Sequence, residues 1–141
     1  MITANTYQDI QIMQDADFIN IISFDTDTYN TDDYNYKAII AKDRKGTSFT
    51  YNGSPTTYVG FAITKVSQED PPVQTVTLKL TAAQTSKFED DFEGVWDLIV
   101  QEDGVASSFV REFEGDVVVS PSVSNIATNG SQHEFTPTSN P

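Results

Sequence analysis

Two clusters of carboxylates are the first places in this chain where chemistry could reside: Asp25, Asp27, Asp32 and Asp33 around DTDTYNTDD, and Glu89, Asp90 and Asp91 further on. Hard cations such as calcium take roughly six to eight oxygen ligands, so closely spaced acids are the residue type such a site requires. The spacing does not complete an EF-hand loop. Counted from Asp25, the fifth position is Tyr29, the sixth Asn30 and the twelfth Tyr36, where an oxygen ligand, a glycine and a bidentate glutamate belong. Asp25, Asp27, Asp32 and Asp33 stand as calcium candidates on ligand type alone, against the competing reading of a solvated acidic turn.

Proton-transfer and nucleophilic chemistry have less to work with. His133, the one histidine, sits beside Glu134 in a polar segment with nothing to desolvate it or hold it against a serine. There is no cysteine to serve as nucleophile, thiolate ligand or disulfide partner. Neither a phosphate-cradling glycine loop nor a zinc pattern occurs, so the chain reads as non-enzymatic and free of cofactors. Aromatic faces on a β-sandwich can stack on sugars, which makes Tyr29, Tyr34, Tyr36, Tyr51, Tyr58 and Trp96 a conceivable glycan-binding set. Trp96, however, lies in an alternating apolar strand, where a buried indole supplies core area. Asn52-Gly53-Ser54 and Asn129-Gly130-Ser131 match the N-glycosylation pattern, but the start MITANTYQDIQIMQDADF has no basic region followed by an apolar run, so both are read as chance.

The elements that would have to position any of these groups are strands. Tyr7 to Met13 is the first, and Ala16 to Asp25 the second, with Phe18, Ile22 and Phe24 on one side and Ile19 and Ile21 on the other; apolar residues on both sides predict a central strand. Tyr34 to Asp43 follows, then Phe49 to Val66, read as two short strands and a long loop around Gly53, Pro55 and Gly60. Val73 to Leu80 alternates clearly, with Val76, Leu78 and Leu80 facing one way. Thr81 and Gln84 have capping-box spacing and predict a short helical turn over TAAQTSKF, ended by the acidic run and Gly94. Val95 to Gln101 resumes as a strand, Asp103-Gly104 marks a hairpin, and Gly115 is expected to bulge or break Val105 to Ser120. The sum is an all-β sandwich of about eight or nine strands in one domain over residues 1–120. Residues 121–141 read as an extended Ser/Thr/Asn/Pro-rich tail, disordered alone and expected to be ordered by contact with a neighbour or with the body of its own domain.

Composition narrows the partners. Twenty-one acidic against eight basic residues give a net charge of −13, which opposes binding to nucleic acid and to anionic membrane. Apolar runs of only a few residues fall far short of the roughly 20 a membrane-spanning helix needs. The absence of a leader pattern fits translation and use in a bacterial cytosol.

Four stretches, MQDADFINIISF (13–24), DDYNYKAIIAKD (32–43), TVTLKLTAAQTSKFEDDFEGVWDLIV (75–100) and FVREFEGDVVVSPSVS (109–124), resemble in order the N-terminal, immunoglobulin-like domain of phage baseplate upper proteins and related tail or fibre modules. That resemblance implies an immunoglobulin-like sandwich and a bacteriophage virion structural protein, a docking module of a tail or baseplate. Its partners would be other virion proteins and copies of itself, with capsid decoration and host-glycan binding as the alternatives. On this reading the tail lies along a neighbour, anchored by Ile126 or Phe135 on an exposed sheet edge.

Overall fold

The computed structural model describes residues 6–121, which form eleven strands and two short helical turns. A six-stranded sheet carries β1 (Thr6–Tyr7), β2 (Ile10–Met13), β4 (Tyr34–Ala41), β7 (Val59–Gly60), β10 (Glu93–Glu102) and β11 (Phe109–Ser120), in the order β1-β11-β10-β4-β7 with β2 also on β11. Against it lies a three-stranded sheet of β3 (Phe18–Ser23), β9 (Pro72–Leu80) and β8 (Ala62–Glu69), in the order β3-β9-β8. A small hairpin, β5 (Phe49–Tyr51) and β6 (Ser54–Thr56), completes the count. All pairings are antiparallel except those of β1 and β2 with β11. The chain is an all-β, immunoglobulin-like sandwich.

Alternation explains the core. Val76, Leu78 and Leu80 of β9 and Trp96, Leu98 and Val100 of β10 are fully or almost fully buried, and they meet Ile12, Ile40, Val117 and Val119 between the sheets. The Trp96 ring stands edge-on to Phe61, with centroids 6.2 Å apart, and stacks on Phe113 at 6.5 Å. Its indole N–H donates to the Gln8 carbonyl at 2.7 Å. That carbonyl lies where β1 gives way to β2, over Gly115, whose position has no room for a side chain: a Cβ there would stand 2.0 Å from the Gln8 oxygen. The expectation of a bulge or break at Gly115 is therefore corrected. β11 runs through it, and the register shift falls instead opposite Leu98 and Ile99 of β10.

The helical turn is as the capping pattern predicts. In α1 (Ala82–Thr85) the Thr81 hydroxyl accepts from Gln84 N–H at 3.2 Å and the Gln84 side chain accepts from Thr81 N–H at 2.8 Å. Asp17 accepts from Ala82 N–H at 2.7 Å, and the Thr85 hydroxyl donates to the Ala16 carbonyl at 2.9 Å, so the turn before β3 is tied to the turn after β9. From there the chain passes from the smaller sheet to the larger one. Three other expectations need correction. β3 is the edge of its sheet, with Ile19 54% and Ile21 61% exposed, because no described strand pairs with its second side. The stretch 49–66 contains three strands and the start of an eight-residue fourth, β8, rather than two strands and a loop. The strands number eleven because short pieces such as β1 and β7 are only two residues long.

Candidate interaction surface

The outer face of the six-stranded sheet is built from the residues that alternation leaves over. In β4 these are Lys37, Ile39 and Ala41, in β10 Val95, Asp97 and Ile99, and in β11 Phe109 and Arg111, brought side by side by the register Lys37–Ile99–Arg111 and Ile39–Asp97. Phe109 is 65% exposed, and Tyr58, beside β7, is 53% exposed. Two adjoining hollows open here. One, of about 310 Å³, is lined by Ile39, Ala41, Tyr58 and Val95 with Arg44 and Arg111; the other, of about 350 Å³, by Lys37, Ile99, Gln101 and Phe109.

The charges on this face are arranged differently from those elsewhere. Both arginines of the chain are on it. Arg44 pairs with the buried carboxylate of Glu114, and Arg111 Nε donates to Asp97 Oδ2 at 3.3 Å. The second Asp97 oxygen is buried without a hydrogen-bond partner among the described residues. Lys37 Nζ lies 6.0 Å from the centre of the Tyr58 ring, at the limit of a cation–π contact. At the rim, the Thr47 hydroxyl and the Lys45 N–H bond to Asp43 and hold its carboxyl below its ordinary value. Tyr, Phe and Arg around apolar hollows are the residue types that carry binding energy at protein interfaces. No nucleophile faces a base within this set of described residues.

The residues singled out from sequence are dispersed. Asp25 accepts from Asp27 N–H at 2.8 Å and so closes its own turn, while Asp32 and Asp33 belong to the 3₁₀ turn Thr31–Asp33 capped by Asn30. Among the described residues no three acidic or imidazole groups converge on an ion's position, and what Asp25, Asp27, Asp32 and Asp33 do in the structure is shape turns. The aromatic set is mostly structural. Tyr29 is buried, stacked between Phe24 and Tyr34 at 4.2 and 4.8 Å, and its hydroxyl meets that of Tyr36 at 2.7 Å. Burial, above all, raises the Tyr29 phenol and pushes that of Tyr36 up to about 12. Ile126, His133 and Phe135 lie outside the described residues. The residues that sequence reading missed are Ile39, Val95, Ile99 and Phe109. Their signal was present: Ile39 and Ile99 take outward positions in strands already apolar on the inward side.

No family model and no curated protein matches the chain. Among solved structures it is similar to the extracellular domains of the voltage-gated sodium channel beta4 subunit, solved as parallel homodimers and related there to cell–cell adhesion: 11% identity, 87% of this chain, 98% of that one and a TM-score of 0.42. A second is a structure from a photo-crosslinking study of multimeric cell-adhesive interactions of sodium channel beta subunits, at 8% identity, 86% and 97% coverage and a TM-score of 0.45. The expectation of a phage tail, baseplate or capsid protein, or of a host-glycan module, is corrected: these two structures come from sodium channel beta subunits rather than phage proteins, and no family model or curated protein carries a phage assignment. Of the aromatic set proposed for glycan stacking, Trp96 and Tyr29 are buried, while Tyr58 is exposed.

Proposed function

We propose that this chain is a non-enzymatic docking module that associates with a second copy of itself through the outer face of the six-stranded sheet. One observation carries the reading: exposed Phe109 and Tyr58 flank apolar hollows on a face where Lys37, Arg44 and Arg111 offset Asp97 and Glu114. Two bodies of net charge −13 repel each other over most orientations. Contact is least opposed where cations are concentrated, and a face bearing both signs can complement itself about a two-fold axis.

Sedimentation equilibrium tests this. Self-association should be measurable for the native chain and weakened at least ~10-fold, about 1.4 kcal/mol, by Phe109→Asp, with far-ultraviolet circular dichroism unchanged because Phe109 is largely outside the core. A native chain that stays monomeric at every accessible concentration would sink the proposal.

A further inference from the structure

The smaller sheet leaves an edge that resembles none of the protected edges usual in monomeric proteins. β3 reads FINIIS: six residues, no charge, no proline. Natural edge strands are blunted by lysine, proline, bulges or brevity, because an open row of backbone donors and acceptors templates the pairing of another strand. Phe24 N–H bonds the Gln74 carbonyl at 2.8 Å, and the register continues Ser23–Thr75, Ile22–Val76, Ile21–Thr77. In an antiparallel ladder alternate residues face the partner, so Phe24, Ile22 and Asn20 bond β9 while Ile19, Ile21 and Ser23 turn their N–H and C=O groups to the open side. The outer surface next to that edge continues the theme. Row by row it reads Ile19–Lys79–Ala62, Ile21–Thr77–Thr64 and Ser23–Thr75–Val66, without one carboxylate in a molecule that has twenty-one acidic residues.

We infer that the chain's own C-terminal segment, within residues 122–141, adds to this edge as a further strand of the smaller sheet. Three observations select this occupant. β11 ends at Ser120, whose carbonyl accepts from Gln14 N–H at 2.9 Å, and only residues 14–17 separate that point from the start of β3 at Phe18. The exit of the tail and the open edge therefore lie at the same end of the sandwich. Twenty residues remain, and at roughly 3.3 Å per extended residue they far exceed what is needed to cross the ~10 Å between sheets and cover six residues of β3. Charge agrees: the segment SVSNIATNGSQHEFTPTSNP has one carboxylate, Glu134, and no lysine or arginine, so the least acidic part of the chain meets its carboxylate-free face. Within it SVSNIAT supplies seven residues with no proline or glycine before Asn129-Gly130, enough to match the length of β3, running parallel to it. Short tethering also gives the intramolecular pairing a high effective concentration over capture by a second molecule.

The absence of native cysteine makes the test direct. Ile21→Cys is combined in separate variants with Val123→Cys, Asn125→Cys, Ile126→Cys and Ala127→Cys, oxidised at high dilution and analysed by non-reducing electrophoresis and mass spectrometry. In parallel, amide hydrogen exchange compares the full chain with a chain ending at Pro121. The expected result is a monomeric disulfide in at least one variant, and exchange at Ile19, Ile21 and Ser23 that rises at least ~10-fold on truncation while Val76 and Leu78 are unchanged. A covalent dimer, or exchange at β3 that ignores truncation, overturns the inference. Neither outcome depends on association through Phe109, which is measured separately by sedimentation.

Discussion

Gly115→Ala is the substitution that most directly tests how the N-terminal strands are held. A Cβ at this position would stand 2.0 Å from the Gln8 oxygen and 2.5 Å from its carbonyl carbon, both backbone atoms that cannot rotate away. The β1–β2 segment must lift, and three bonds go with it: Trp96 indole to Gln8 at 2.7 Å, Gln8 N–H to Glu114 at 2.8 Å, and Asp116 N–H to Asp9 Oδ1 at 2.9 Å. A buried indole N–H left unpaired costs about 1–3 kcal/mol and each remaining bond about 1 kcal/mol. Replacing glycine returns roughly 0.5–1 kcal/mol through the unfolded chain. The net destabilisation is about 3 kcal/mol, a large share of the roughly 5–15 kcal/mol by which domains are stable. Urea unfolding followed by the fluorescence of Trp96, the single tryptophan, should show the midpoint falling by about 1.5 M for a slope near 2 kcal/mol/M. In a Trp96→Phe background, read by circular dichroism, the same change should cost about 1–2 kcal/mol less, because the indole bond is already gone. A midpoint unmoved by Gly115→Ala, or a cost identical in both backgrounds, would refute the reasoning.

Thr81→Ala removes the capping hydroxyl and should cost about 1 kcal/mol in the same assay, with Thr81→Ser close to neutral. Burial raises the Glu112 carboxyl above its ordinary value, and one of its oxygens has no hydrogen-bond partner among the described residues. The folded state thus holds this proton more tightly than the unfolded chain, so its favourable contribution is complete below the ordinary carboxyl pKa and is lost as pH rises through the raised one. Glu112→Gln should therefore raise the urea midpoint at neutral pH, and the difference should shrink on acidification. For Tyr36 the window is alkaline: with the folded phenol pushed up to about 12 from 10.0, stability should fall as pH climbs from 10 to 12, and Tyr36→Phe should flatten that fall in a pH series of unfolding curves.

Local rules carried much of the fold. The strands 34–41, 72–80 and 93–102 follow from period-two alternation, and α1 from the Thr81 and Gln84 pair, because each depends on residues adjacent in the chain. What could not be read locally was position within a sheet. Ile19 and Ile21 opposite Ile22 look like a strand covered on both faces, yet an uncovered edge with an apolar outer face gives the same pattern, and the difference lies in whether a second partner exists. Gly115 fails for the same reason: its requirement comes from Gln8, more than a hundred residues earlier. The candidate surface was legible only as outward apolar positions at 39, 95 and 99, since the pairing of Arg44 with Glu114 and Arg111 with Asp97 spans separate elements.

Electrostatics separates a mixed-charge interface from a hydrophobic one that merely tolerates charge. At low ionic strength, about 0.01 M, the Debye length is ~30 Å and the −13 net charge of each copy acts across the whole approaching body; at ~0.15 M it is ~8 Å, and only groups at the contact itself still interact. If association is limited by long-range repulsion, moderate salt should tighten it. Arg44 and Arg111 each have a carboxylate partner within their own copy, so salt removes little attraction between copies while removing most of the repulsion. Exchanging Arg111 for Glu adds like charge at the contact and should steepen the dependence, leaving association measurable only at the higher salt. Sedimentation across that range, with native and Arg111→Glu chains side by side, reads the slope. Association that weakens steadily with added salt would mean that ion pairs between copies dominate, and that apolar contact at Phe109 and Tyr58 is secondary.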